Sequence, residues 1–225
     1  MLLIAIPEPA GNVGAPADWM VHRIVLHLSK LSNANPSALV RAGCNHRRCR
    51  MPIREISVQR FSVISSRSME EVVGAIRAAL GHPEMSGFSK QMAGAKTFAE
   101  LESVVQAAVG PSGFLEFVHF DLGEVLRKRS GTRFPQNVRI VLGNPVVMSS
   151  MAEHVPDAGS YAPVTILIDQ RKDGVHLSYD RMASYLAPYG SREALEVARN
   201  LDSKVEGLLK TVAASESNEF KSRIA

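Results

Sequence analysis

The sequence predicts an α+β fold, and three observations carry the prediction: capped helices, strands set between them, and an antiparallel hairpin near the end. Arg60 to Ser66, with Phe61, Val63 and Ile64, reads as a first strand. Ser68 followed by Glu71 is a capping box, in which each side chain takes the other residue's free amide. Met69, Val72, Val73, Ile76 and Leu80 then share one helical face, and Gly81 is expected to supply a left-handed stop. Thr97 and Glu100 repeat the capping logic for a helix whose stripe is Phe98, Leu101, Val104, Val105 and Ala108, ended by Gly110 and Pro111.

Phe114 to Phe120 follows as a strand with apolar residues on both faces, which predicts an interior position in the sheet. Glu116 and His119 interrupt it, and their spacing of three places them on opposite faces. Asp121 caps a short basic helix, Leu122 to Arg129, closed at Gly131. Val138 to Leu142 is a buried strand, and Asn144 and Pro145 start a helix running from Val146 to Val155. Val164 to Asp169 and Val175 to Asp180 form the hairpin, joined by a turn whose Asp173 and Gly174 allow positive φ. Ser191 opens the last helix, with a stripe of Leu195, Ala198, Leu201, Val205, Leu208, Leu209 and Val212.

A chain of 225 residues, 45% hydrophobic and 21% charged, is long enough for a real core. It contains no apolar run of the roughly 18 residues that a spanning helix needs, so a membrane is not an expected partner. The net charge is +4, yet residues 1–50 hold six basic and two acidic residues, leaving 20 of each sign from Met51 onward. The folded part therefore lacks the basic surface that a phosphate backbone demands, and nucleic acid is not expected.

Residues 1–52 are expected to be a poorly structured extension, 53–214 one domain, and 215–225 a frayed tail rich in Ser, Glu, Lys and Asn. Pro7, Pro9, Pro16 and Pro36 and little periodicity mark residues 1–50, and Met51 reads as the start of the folded part. Its apolar leader is too short for a signal peptide, and Glu8 and the prolines fall where a transit helix would lie. Cys44, His46 and Cys49 offer three zinc ligands where a structural site wants four, so unpaired thiols are the simpler reading. With no Cys after Cys49 the domain has no disulfide, which fits a cytoplasmic protein.

The run from Val138 to Pro145, the loop from Met151 to Pro163 with Pro156 and Gly159, and Ser178-Tyr179-Asp180 after the hairpin resemble the domain-of-unknown-function 302 family. The resemblance extends over roughly 60–212. It implies helices packed on one side of a curved, mainly antiparallel sheet of the TATA-binding-protein-like class, often a homodimer, and no established activity. Many members resemble one another in a Cys directly before the Asn-Pro pair. Here Gly143 stands in that place, so thiol chemistry at the turn is not expected.

The candidate ligand-binding residues are Asn144, His154, Asp157 and Tyr161, gathered at a helix start and a glycine-bearing loop between two prolines. Asn144 and Pro145 leave amides able to hold an anion, or simply make an ordinary cap. Met148, Met151 and His154 offer thioethers and an imidazole to copper or haem, although Met at helical spacing more often fills a core. His154 or His119 are the groups available for acid–base catalysis. The polar face of the hairpin, His176, Ser178 and Asp180, reads as solvated. Walker, dinucleotide, zincin and nucleophile-elbow motifs are absent. The leading expectation is a homodimeric module that binds a small ligand or partner without catalysis and without a cofactor. An acid–base enzyme and a metal or haem carrier are the alternatives.

Overall fold

The computed structural model describes residues 53–131 and 135–214. The expectations for 1–52, including Cys44, His46 and Cys49, and for the tail at 215–225 lie outside the described residues.

Strand β1 (Arg60–Ser65) leads into helix α1 (Met69–Ala79). The capping box forms as expected, with the Ser68 hydroxyl accepting the Glu71 amide at 3.3 Å and the Glu71 carboxylate accepting the Ser68 amide at 2.8 Å. Helix α2 (Met85–Gly94) was not foreseen from the sequence; its first amides, Ser86 and Gly87, are taken by the Glu84 carboxylate at 2.8 and 2.6 Å. Helix α3 (Phe98–Ala108), strand β2 (Leu115–Asp121) and helix α4 (Leu122–Ser130) follow, the last closed by Gly131 at φ 64°. Strand β3 (Asn137–Gly143) runs into helix α5 (Pro145–Ala152), which ends earlier than expected in a turn at 153–154, before a 3-10 helix (Pro156–Ser160). Strands β4 (Val164–Arg171) and β5 (Gly174–Asp180) make the expected hairpin, with Gly174 at φ 137°. A five-residue helix α6 (Met182–Leu186), a 3-10 turn (Ala187–Tyr189) and the long α7 (Arg192–Ala213) complete the described chain.

The five strands form one antiparallel sheet in the order β1-β5-β4-β3-β2. Period-two alternation gives it a buried face built on Val138, Ile140, Leu142, Ile166, Ile168, Leu177 and Tyr179, against which α1 and α7 pack. α7 contributes Ala198, Leu201, Val205 and Leu209, while Leu208 is only partly buried beside them. A second, smaller cluster joins Phe88 of α2, Val105 of α3 and Leu115 of β2.

Three sequence expectations are corrected. β2 lies at the edge of the sheet, not in its interior. It is apolar because Leu115 and Phe117 serve the second cluster, while Val118 and Phe120 remain exposed. Glu116 and His119 lie on the same face: a bulge between Glu116 and Val118 inserts one residue, so Glu116 pairs with Leu142 and His119 with Ile140. Gly81 is not left-handed; instead, a Cβ there would stand 1.9 Å from the Ala108 carbonyl oxygen. Its backbone bridges β2, donating to the Phe114 carbonyl and accepting from the Glu116 amide, both at 2.9 Å.

α6 is anchored from a distance. The Asp202 carboxylate of α7 accepts the Met182 amide at 2.8 Å, the Ala183 amide at 3.1 Å and the Tyr179 hydroxyl at 2.6 Å. Burial and the neighbouring Asp202 push the Tyr179 phenol well above its ordinary range, so it remains the donor.

Candidate functional site

The turn after β3 frames an apolar cavity. Asn144 is the cap: its oxygen accepts the Val146 and Val147 amides at 2.9 and 3.3 Å, and its amide donates to the Gly113 carbonyl at 3.0 Å. The α5 amides that might have held an anion are thus closed by their own cap. Beside this cap lies a cavity of about 270 Å³, walled by Met92, Phe117, Met148, Met151, Pro163 and Leu201, with Asn144 at its rim. Met148 and Met151 reach it from one face of α5, as i and i+3 positions should. Met92 comes from α2, the helix that the sequence did not announce.

Gly143 lines the same space, and a Cβ added there would meet the Pro163 Cβ at 3.2 Å and the Phe117 ring at 3.5 Å. Its missing side chain therefore adds room where a larger residue would project between two wall residues. The chemistry of the wall is that of an adaptable apolar receptor: unbranched thioethers that re-pack, one aromatic ring, and almost no polar group to orient a hydrophilic ligand.

The other expected site residues lie on a different surface. Tyr161 stacks on Tyr185 with ring centroids 4.8 Å apart and planes at 16°, and its hydroxyl lies 2.8 Å from that of Tyr189. The hydrogen bond to Tyr161, burial and the nearby Asp157 together raise the Tyr189 phenol, so the group stays protonated. Tyr185 is also raised, first by burial and then by Asp180, whose carboxylate is held by Arg60 at 2.6 and 2.8 Å. The structure thus brings Asp157 and Tyr161 together through Tyr189. Tyr185 and Tyr189 escaped sequence reasoning because they sit on helical turns too short to leave a periodic signal.

His154 is exposed just past α5, with an electrostatic interaction with Glu193. It is not among the residues that line the cavity with Met148 and Met151. His119 is exposed on the edge strand. Glu116, on the same face, has a side chain only 9% exposed, 3.5 Å from Arg77 and 3.8 Å from His82. No group of three or more His, Cys, Asp or Glu able to hold a metal occurs among the described residues, and none of their helices is long and apolar enough to cross a membrane.

None of the curated proteins matches the chain. The crystal structure of an uncharacterized conserved DUF302 protein from Bacillus stearothermophilus is similar over 69% of this chain and 98% of its own, at 13% identity and a TM-score of 0.48. The family described as "Domain of unknown function DUF302" matches residues 88–212, from α2 to the end of α7 and so across both walls of the cavity. The chain belongs to the DUF302 family.

Proposed function

We propose that this domain is a non-catalytic binding module whose ligand is a compact apolar molecule seated in the cavity behind Asn144. The observation that carries the reading is the cavity itself: about 270 Å³ of space with an almost wholly apolar wall. An apolar cavity of roughly 150 Å³ already accepts a benzene ring, so this one suits a molecule of about two fused rings. Three flexible methionines allow the wall to adapt to its occupant. The acid–base alternative has less support, because His154 and His119 are both exposed and lie on separate elements. The carrier alternative loses its imidazole, since Met148 and Met151 line the cavity and His154 does not.

The test is a melting-temperature screen of the full chain with indole, naphthalene derivatives and short-chain alkyl compounds. A ligand of the native state raises the melting temperature by mass action. Gly143→Val, which fills the space beside Pro163 and Phe117, should abolish the shift. No shift with any compound, or an undiminished shift in the variant, defeats the proposal.

We further propose that the module works as a homodimer in the cytoplasm. Val118 and Phe120 are 39% and 45% exposed on the open sheet face, beside Val141 and Arg139 respectively, and give such an assembly apolar surface to cover. Light scattering of the full chain decides it: a monomer at micromolar concentration removes the dimer and leaves the cavity reading standing.

A further inference from the structure

The tyrosine cluster has a feature that the apolar cavity does not explain. The guanidinium carbon of Arg54 lies 4.0 Å above the centre of the Tyr189 ring. Among the described residues no carboxylate stands within ion-pair distance of Arg54, so the ring face, rather than a counter-charge, is what holds this cation. A guanidinium at this height over a phenol ring is attracted by the ring quadrupole and stacks plane on plane. Tyr161 meets Tyr189 edge-on, with centroids 6.4 Å apart and planes at 65°, so a second ring adjoins it. Asp157 lies beside the Tyr189 hydroxyl and puts a carboxylate at the phenol end of the ring. Asp180, the other carboxylate of the cluster, is already neutralised by Arg60.

Arg54 reaches the ring from the segment preceding β1, which has no regular secondary structure, and its side chain is exposed. We propose that the face of Tyr189, with Tyr161 adjoining it and Asp157 beside its hydroxyl, is a recognition site for a guanidinium group brought by another molecule, and that Arg54 is the chain's own competitor for it. The site is separate from the cavity: Asn144, Met148 and Phe117 take no part in it, so it stands whether or not the cavity binds a ligand.

The experiment uses the full chain with isotope-labelled tyrosines, titrated with methylguanidinium and, in parallel, with the peptide Gly-Arg-Gly. Ring resonances of Tyr189 and Tyr161 report the site, and that of the buried Tyr179 reports an intact fold. An internal competitor lowers apparent affinity by the fraction of molecules in which it holds the ring, so Arg54→Ala should tighten binding roughly fivefold. In the Arg54→Ala background, Tyr189→Leu should abolish binding and Tyr189→Phe should retain it, because the ring face survives. Equal affinity for the two probes identifies the guanidinium alone as the recognised unit, while tighter peptide binding identifies an arginine carried by a chain; either bears out the site. Less than threefold tightening in Arg54→Ala, or binding that persists in Tyr189→Leu with Tyr179 unmoved, overturns the proposal.

Discussion

Replacing Gly81 by Ala should be among the most damaging single-methyl additions in this protein, and its size follows from the local geometry. The new Cβ would stand 1.9 Å from the Ala108 oxygen, 2.8 Å from the Gly110 nitrogen and 2.9 Å from the Val109 carbonyl carbon. All three are backbone atoms, so no side chain can turn aside. The constraint is mutual: a Cβ at Gly110 would lie 2.3 Å from the Leu80 carbonyl carbon. Relief requires the α1 end and the α3 end to part, which strains the Gly81 bonds to Phe114 and Glu116 and the Gly110 bond to Phe114 at 3.0 Å. Overpacking of about 1 to 3 kcal/mol plus three weakened hydrogen bonds at about 1 kcal/mol each gives a loss of roughly 4 to 6 kcal/mol. Gly74 is the control, exposed in mid-α1 with nothing within 4 Å of an added Cβ. There the same substitution should stabilise by about 0.8 to 1 kcal/mol through helix propensity alone. Urea denaturation followed by circular dichroism measures both. A Gly81→Ala midpoint equal to the parent's, or both variants moving in the same direction, refutes the close-approach account.

The other expected outcomes concern the helices. Leu209→Ala should cost about 2 to 5 kcal/mol in urea because the side chain is fully buried, and the half-buried Leu208→Ala less; equal losses would place the helix stripe elsewhere. Asn144→Ala removes two amide bonds and the tie to Gly113, so it should lower stability by about 1 to 2 kcal/mol, read as a lower urea midpoint. The hydrogen bonds from the Ser68 hydroxyl and amide hold the Glu71 carboxyl below its ordinary range, so its stabilisation is present above the unfolded pKa and is lost as pH falls through the folded one. Glu71→Gln should therefore trail the parent at pH 6, with the gap closing below about pH 4.3; a gap constant with pH would detach the capping box from acid stability.

Much of the frame was legible because its signals are local. Ser68 with Glu71, Asn144 with Pro145, and Asp173 with Gly174 each declare a helix start or a turn within four residues, and the structure uses them so. What stayed hidden depends on distant partners. α2 carries two glycines and two serines and a single buried side chain, Phe88, so its pattern is weak until it meets Val105 and Leu115. β2 looked interior because local apolarity cannot tell a neighbouring strand from a neighbouring helix pair. The bulge at Phe117, which turns Glu116 and His119 to one side, leaves no mark in composition. The expected site residues divided in the same way. Asn144 was placed by a local rule. The surroundings of Asp157 and Tyr161 were not, because Tyr189 and Tyr185 arrive from beyond the hairpin.

The reach of Asp202 across to α6 ties surface architecture to the deepest part of the fold. A five-residue helix is too short to persist alone in water, and this one has its first amides satisfied by a carboxylate twenty residues further along the chain. Helix α6 and the turn carrying Tyr189 therefore belong to the same cooperative opening unit as α7. Hydrogen exchange should find the Met182 and Ala183 amides as slow as those around Leu209, although they sit at the head of a single short turn. Any fluctuation that lifts α7 dissolves the tyrosine stack in the same event, so the aromatic surface exists only while the core beneath it is closed.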